Sequence, residues 1–214
     1  MSSDPLPARI PRLGWAIAFL VAAGVIAFGY VTLQQSKPPV SPLGKIAPVP
    51  PFSFTDQYGK RVSNTDLKGK VWVADFIFTR CPGPCPMMTR HMGELNRALG
   101  DNAKDVELVS MTVDPDYDTS EVLKKYGERA GATEKRWKFL TGPKAKIDEV
   151  ITKGLLLPLG QGEDGLPMHS TRFVVVDRDG WIRKLQDASD PDLVQKLLMD
   201  IRDLLREPQS GTQK

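Results

Sequence analysis

The chain has 214 residues, 41% of them hydrophobic and 26% charged, a balance that excludes intrinsic disorder and leaves room for one full-sized core. Its net charge of +3 and pI near 8.8 arise from Lys and Arg interspersed with Asp and Glu, which excludes a dedicated nucleic-acid surface. With two cysteines and two histidines in all, soft-metal or redox chemistry has few places to reside.

Residues 1–13 read as a short N-terminal tail. From Gly14 to Leu33 no side chain is charged, and about 20 residues is the length a helix needs to cross a hydrocarbon core. The stretch exceeds the apolar core of a secretory signal, and neither a small-x-small site nor a cysteine follows it. We therefore expect an uncleaved transmembrane anchor over 14–33. Arg9 and Arg12 on the short tail favour keeping that tail inside, which places the rest of the chain outside the cytoplasm, where a dithiol can cycle through a disulfide.

Residues 34–50 include Pro38, Pro39, Pro42, Pro48 and Pro50 and predict an extended tether. A single α/β domain is expected over 51–208, with a loose tail at 209–214. Phe52–Thr55 and Lys60–Val62 flank a turn and predict a short hairpin. Val71–Phe78 is an apolar strand interrupted only by Asp75, which places an ionisable group in the core. A helix is predicted from Pro84 or Pro86 to Leu99, stopped by Gly100, and a second inner strand over Val106–Val113. Helices follow over Thr119–Ala130 and Lys144–Lys153, with a strand at Trp137–Leu140 between them. Phe173–Asp177 and Trp181–Leu185 predict a hairpin, and Pro191–Leu205 an amphipathic helix. A dithiol at a strand-to-helix junction, with a late antiparallel hairpin and a terminal helix, is the order of a thioredoxin-like domain: a central mixed sheet flanked by helices, with an N-terminal hairpin.

The two cysteines, Cys81 and Cys85, sit at that junction. Ideal helical positions four apart have Cα atoms about 6.2 Å apart, within the range disulfides accept, so the pair can close reversibly. The same spacing leaves a gap that a metal ion can fill. A permanent crosslink is disfavoured, because so short a loop removes little unfolded-state entropy. A tight Pro-rich turn beside a helix N-terminus favours thiolate. His91 lies about 240° around its helix from Cys85 and reads as an ordinary helix histidine. His169, in the loop entering the Phe173–Asp177 strand, is the candidate third ligand, because in a thioredoxin-like domain that loop passes beside the dithiol. Two thiolates and an imidazole suit copper in both oxidation states and also zinc. A thiol peroxidase, with Thr79 ahead of Cys81 and Arg172 polarising peroxide, is disfavoured because the nearby second thiol would compete for the sulfenate.

Three motifs in order, Thr79-Arg80-Cys81-Pro82-Gly83-Pro84-Cys85-Pro86, Thr112-Val113-Asp114-Pro115-Asp116-Tyr117-Asp118-Thr119, and His169 before a strand ending at Asp177 and Gly180, resemble the Sco/SenC family of membrane-anchored copper proteins. The resemblance covers about Pro48 to Leu205. It implies that Cys81, Cys85 and His169 are ligands of one copper ion, taken as Cu(I) or Cu(II). It implies a copper chaperone that delivers to the dinuclear copper centre of cytochrome c oxidase, with the copper-centre subunit as partner and with Cys81 and Cys85 also serving as a redox dithiol that reduces the target's cysteines. Another copper chaperone or a thiol reductant would be a further partner. Asp114 falls in the family's Asp-Pro segment and reads equally as a turn residue ahead of Pro115. The implied location is a bacterial inner membrane with the domain in the periplasm, or the mitochondrial inner membrane in a eukaryote; the domain itself is expected to be monomeric. The alternative is a membrane-anchored thiol-disulfide oxidoreductase without metal delivery, its outer cysteine, beside the helix N-terminus, attacking and the second cysteine resolving.

Overall fold

The structure, a computed structural model, describes residues 20–30, 43–132, 136–155, 159–161 and 167–208, with the backbone alone at 159, 161 and 167–169. Residues 20–30 form helix α1, on which Leu20, Val21, Val25, Ile26, Phe28 and Tyr30 are exposed. Its eleven residues rise only about 16 Å, about half a hydrocarbon core. No helix among the described residues is long and apolar enough to cross a membrane. The rest of the expected span, 14–19 and 31–33, lies outside the described residues, as do the tail at 1–13, the first part of the tether at 34–42 and the end at 209–214.

The remainder of the chain forms a separate compact unit. Its elements are β1 Ala47–Pro48, β2 Ser53–Asp56, β3 Arg61–Ser63, β4 Val71–Ile77, α2 Cys85–Leu99, β5 Val106–Thr112, α3 Ser120–Arg129, β6 Trp137–Thr141, α4 Lys144–Glu149, β7 Leu159–Gln161, β8 Pro167–His169, β9 Arg172–Val176, β10 Trp181–Asp187 and α5 Leu193–Arg206. Eight strands form one sheet in the order β1-β10-β9-β4-β5-β6-β2-β3. The pairs β4–β5 and β5–β6 are parallel, and the rest of the sheet is antiparallel. Every residue of β4 and β5 is buried, as their apolar runs require of strands covered on both faces. Helix α2 buries Met88, Met92 and Leu95 and ends at Gly100, whose φ of +61° is a backbone state that side chains disfavour. It packs against β4 and α5, while α3 packs against β6.

Three segments differ from the sequence expectation. Residues 43–50, assigned by composition to the tether, join the domain: β1 pairs with β10, Ile46 N–H donates to Ile182 C=O and Val49 N–H to Gly180 C=O, both at 2.8 Å. The helix expected over Lys144–Lys153 becomes α4 and then a π-helical turn, Val150–Gly154. The wider turn lays Gly154 on Pro50, whose ring carbon stands 2.4 Å from where a Cβ would be. The presumed loop before β9 contains the antiparallel pair β7–β8, with Leu159 opposite His169.

Arg183 sits at a β-bulge between Ile182 and Lys184. The irregularity accommodates a side chain only 4% exposed within the core edge. Its guanidinium donates to Asp177 at 2.8 Å and to both carboxylate oxygens of Glu207 at 2.7 and 2.8 Å, and its Nε donates to the Leu43 carbonyl at 3.1 Å. One cation thus joins the incoming chain, the β9–β10 turn and the end of α5. Arg183→Ala leaves two carboxylates uncompensated, and we expect urea unfolding to report a loss of about 3–5 kcal/mol.

Candidate functional site

The site is built where β4 hands over to α2. After Phe78 the chain turns through Thr79 and Arg80, and the Cys81 N–H donates back to the Phe78 carbonyl at 3.1 Å. Three bent residues, Pro82, Gly83 and Pro84, lead into α2, whose first residue is Cys85. Pro84 occupies the N-cap without a side-chain cap, and Pro86 follows inside the first turn, where a missing N–H is harmless. Cys81 is half-buried and Cys85 fully buried, and the two are not joined in a disulfide. The two side chains are hydrogen-bonded to each other. A Cβ on Gly83 would stand 4.0 Å from the Cys81 sulfur, so the glycine leaves the approach to that sulfur uncluttered.

The expectation that the helix N-terminus favours thiolate does not hold for Cys85. Burial pushes its thiol up, as do the hydrogen bond with Cys81 and, to a lesser extent, the charges of Cys81 and Asp75, against the pull of the Phe78 amide. Desolvation outweighs the helix dipole here. The two cysteines differ in access: Cys85, the first residue of the helix, is the shielded one, and the accessible sulfur belongs to Cys81, ahead of the helix.

Asp118 holds this turn in place. Its buried carboxylate accepts from the Thr79 N–H at 3.1 Å and from the hydroxyls of Thr79 and Thr112. Burial raises its pKa, against the pull of those donors. The Thr112 hydroxyl in turn accepts from the Asp114 N–H at 3.0 Å, and the Tyr117 and Asp118 amides donate to the Asp114 carbonyl at 3.1 and 2.9 Å. Arg80 donates to the Asp114 carboxylate at 2.6 Å, and its guanidinium lies 4.1 Å from the centre of the Tyr117 ring. Asp114 therefore anchors Arg80 and shapes the loop, in keeping with its reading as a turn residue. Tyr126 on α3 meets Thr89 on α2 through a 2.8 Å hydroxyl contact, and its phenol is pushed up to about 12, mainly by burial.

Sequence reasoning did not assign Asp118, Thr89 or Tyr126 a role. A carboxylate just ahead of the Thr119 helix cap was the one available signal for Asp118, and Tyr126 carried none. His91 sits on α2 with Nδ1 3.4 Å from the Glu94 carboxylate, apart from the dithiol. Arg172 is exposed at the start of β9, opposite Asp187, so the peroxide-polarising role finds no support. The backbone of His169 lies in β8, three positions before β9. Because Ala74 faces Val174 across the antiparallel β4–β9 pair, β9 begins beside the end of β4 that leads to Cys81. The topology thus brings the His169 segment to the dithiol's end of the sheet. Among the described residues no three His, Cys, Asp or Glu side chains gather as a metal-holding group, and the His169 side chain lies outside the described residues.

A thioredoxin-like domain that presents one accessible thiol backed by a shielded one defines a protein of thiol-based redox or soft-metal chemistry. This chain belongs to the SCO1/SenC family, whose profile matches residues 41–206. It is 36% identical over 172 residues to the SCO1 protein homolog of Bacillus subtilis, covering 79% of this chain and 86% of that one. The structure of BsSco, a member of the Sco family of cytochrome c oxidase assembly proteins in which a disulfide switch is identified, covers 77% of this chain and 96% of its own at 33% identity, with a TM-score of 0.68. Copper-bound ScoI of Bradyrhizobium japonicum covers 74% and 99% at 29% identity, with a TM-score of 0.62. Copper-binding relatives and the shared fold support a copper-binding role.

Asp75 lies across from Ser110 in the β4–β5 register. It is fully buried, with neither carboxylate oxygen in a hydrogen bond of good geometry. Burial raises its pKa to about 7, and the nearby Ser110 hydroxyl offsets this only in part. Below the unfolded value near 4 both states hold the proton; between there and about 7 only the folded state does, so this residue makes stability fall as pH rises. Above that range its cost is constant. Asp75→Asn removes the cost, and its stability advantage over the native chain should grow across that window and level off on the order of 4 kcal/mol. Urea unfolding of both forms from pH 4 to 8 measures it; a pH-independent difference would show that Asp75 is not the titrating group.

Proposed function

We propose that the chain is a membrane-anchored copper chaperone of cytochrome c oxidase assembly, which binds one copper ion through Cys81, Cys85 and His169 and passes it to the dinuclear copper centre of the oxidase. The observation that carries this reading is the pairing of a half-exposed thiol with a buried one at the sheet end to which β8 brings His169. Copper on a ScoI relative and the assembly role of the family to which BsSco belongs support it. Residues 14–33 are the anchor in this reading, holding the domain on the periplasmic face of a bacterial inner membrane. The copper-centre subunit is the recipient, and another copper chaperone or a thiol reductant serves the dithiol upstream.

The ligand set is suited to transfer. Cys85 holds its proton through burial, so a metal must displace that proton, and affinity rises with pH while thiol protons are being released. A half-exposed Cys81 gives an incoming thiolate access to the metal, and ligands exchange one at a time. Closing the pair to a disulfide removes both thiolates, which makes oxidation an off switch; the disulfide switch of BsSco is consistent with this.

The second reading, a thiol-disulfide oxidoreductase without metal delivery, draws on the same asymmetry. Cys81 is the accessible attacking sulfur and Cys85, hydrogen-bonded behind it, resolves the mixed disulfide. The two readings separate in an anaerobic titration with Cu(I), Cu(II) and Zn(II) at one pH. Cys81→Ser and Cys85→Ser should each abolish tight binding of copper. His169→Ala should retain Cu(I) on two thiolates and penalise Cu(II) at least about tenfold more, since Cu(II) favours imidazole and more donors. Equal losses for both oxidation states, or none, would remove His169 from the site and favour the oxidoreductase.

A further inference from the structure

A cleft of about 520 Å³ runs between α2 and α3, beginning at Thr79 and Pro86 beside the dithiol turn. Arg90, Arg97 and Arg129 line it, and among the described residues no carboxylate does. Arg90 has a loose partner in Glu94 at 3.8 Å, both side chains being well exposed, a contact worth little. Arg97 and Arg129 have no carboxylate partner among the described residues. The floor is made by Gly93, where an added Cβ would meet the Ala130 carbonyl at 3.3 Å and lie 3.7 Å from Nη1 of Arg97. The missing side chain therefore lets the two helices close up and the Arg97 guanidinium lie down over their contact. Tyr126 and Ala130 supply a low-dielectric wall, and charge of one sign against such a wall focuses its field into the cleft.

Arg90 and Arg97 are seven positions apart, which places them on one face of α2 about 10.5 Å from each other. An extended polypeptide covers that distance in about three residues. Arg90 stands about 6 Å along the axis from Pro86, roughly two extended residues from a sulfur engaged at the dithiol. Guanidinium forks favour carboxylates, which they can hold bidentately. We propose that this cleft is a docking groove for an extended acidic segment of the partner protein, one that flanks the cysteine with which Cys81 and Cys85 exchange copper or disulfides. The inference rests on the dithiol acting on a partner's thiols and adds the recognition that brings those thiols in.

The test uses the reduced full chain and short peptides whose cysteine is capped as a mixed disulfide with thionitrobenzoate. Cys81 thiolate attacks the peptide sulfur and thionitrobenzoate leaves with the electron pair of the broken bond. Cys85, losing its proton to solvent, then attacks Cys81 and releases the peptide as a thiol. The dithiol is oxidised by two electrons and the mixed disulfide is reduced to two thiols. A peptide of pattern Cys-x-Glu-x-x-Glu should react about tenfold faster than its Gln counterpart at low salt, and a Lys counterpart slower than both. The Glu advantage should collapse at high salt and in Arg97→Gln/Arg129→Gln, while that variant reacts normally with the uncharged reagent dithiodipyridine. Equal rates for Glu and Gln peptides, or an advantage that survives in the variant, would overturn the groove. So would binding of phosphatidylglycerol vesicles that matches the Glu peptide and is lost in the same variant, since the cleft would then serve a lipid surface. Anisotropy with Ser in place of the peptide cysteine reads docking apart from chemistry. If the Ser-Glu peptide binds through the arginines while the dithiol neither reacts with any disulfide nor holds copper, the groove stands and the proposed function fails.

Discussion

One buried carboxylate determines whether there is a site at all. Asp118 lies 39 residues along the chain from Thr79; its Oδ1 takes the Thr79 hydroxyl, and its Oδ2 takes both the Thr79 N–H and the Thr112 hydroxyl at the end of β5. The turn that carries Cys81 is tied by the Cys81–Phe78 link at its start and the Met88–Pro84 link where it enters α2, and two prolines within it supply no donors. Without Asp118 the turn would be a loop joining a strand to a helix, free to vary the separation of the two sulfurs. With it, the end of β4 and the end of β5 are locked as one edge, and Arg80 is held on Asp114 and Tyr117.

The chemistry of the dithiol follows from which cysteine that edge leaves in the open. A helix N-terminus stabilises negative charge by a fraction of a kcal/mol to about 2 kcal/mol, whereas moving a thiolate out of water costs more. Cys85 pays the second and gains little from the first, so its resting form is the protonated thiol hydrogen-bonded to Cys81. The buried Asp75 adds to this when ionised. Two groups that both resist charge, close to one sulfur pair, make the reduced apo site electrically quiet. A bound cation reverses that logic, since its own charge is the largest in the site.

Much of this was legible in the chain. The continuous apolar runs of β4 and β5 and the Gly100 stop are local signals, and the elements they predict are present, as is the helix expected from Thr119. The dithiol at a strand-to-helix junction followed from the same reasoning. What was not legible depends on partners distant in sequence. β1 is two residues in a Pro-rich stretch, recruited because β10 offers an edge. Arg183 looks like a solvent-facing residue of a strand until the bulge turns it onto Asp177 and Glu207. The unequal burial of the cysteines could not be read from spacing, because the i to i+4 argument assumes both lie on one helix, and Cys81 does not. The β7–β8 pair was hidden by Gly and Pro residues that read equally well as a loop.

The arrangement of charge in the domain separates structural cations from available ones. Arg183 is matched by two carboxylates, Glu107 lies between Lys70 and Lys138, and Arg136 caps backbone carbonyls at Asn96 and Gly100. Each of these cations is answered by hydrogen-bonding partners within the fold. Arg97 and Arg129 face each other across the α2–α3 cleft with no such answer among the described residues. With a net charge of only +3 over the whole chain, the protein carries little general attraction for anions, whereas the cleft between α2 and α3 gathers positive charge that begins at Thr79 and Pro86, beside the dithiol turn. Local charge of that kind biases the orientation of an encounter more than its frequency. A metal or disulfide exchange needs that bias, because a partner's sulfur must arrive within bonding distance of Cys81 and on the side that Gly83 leaves clear.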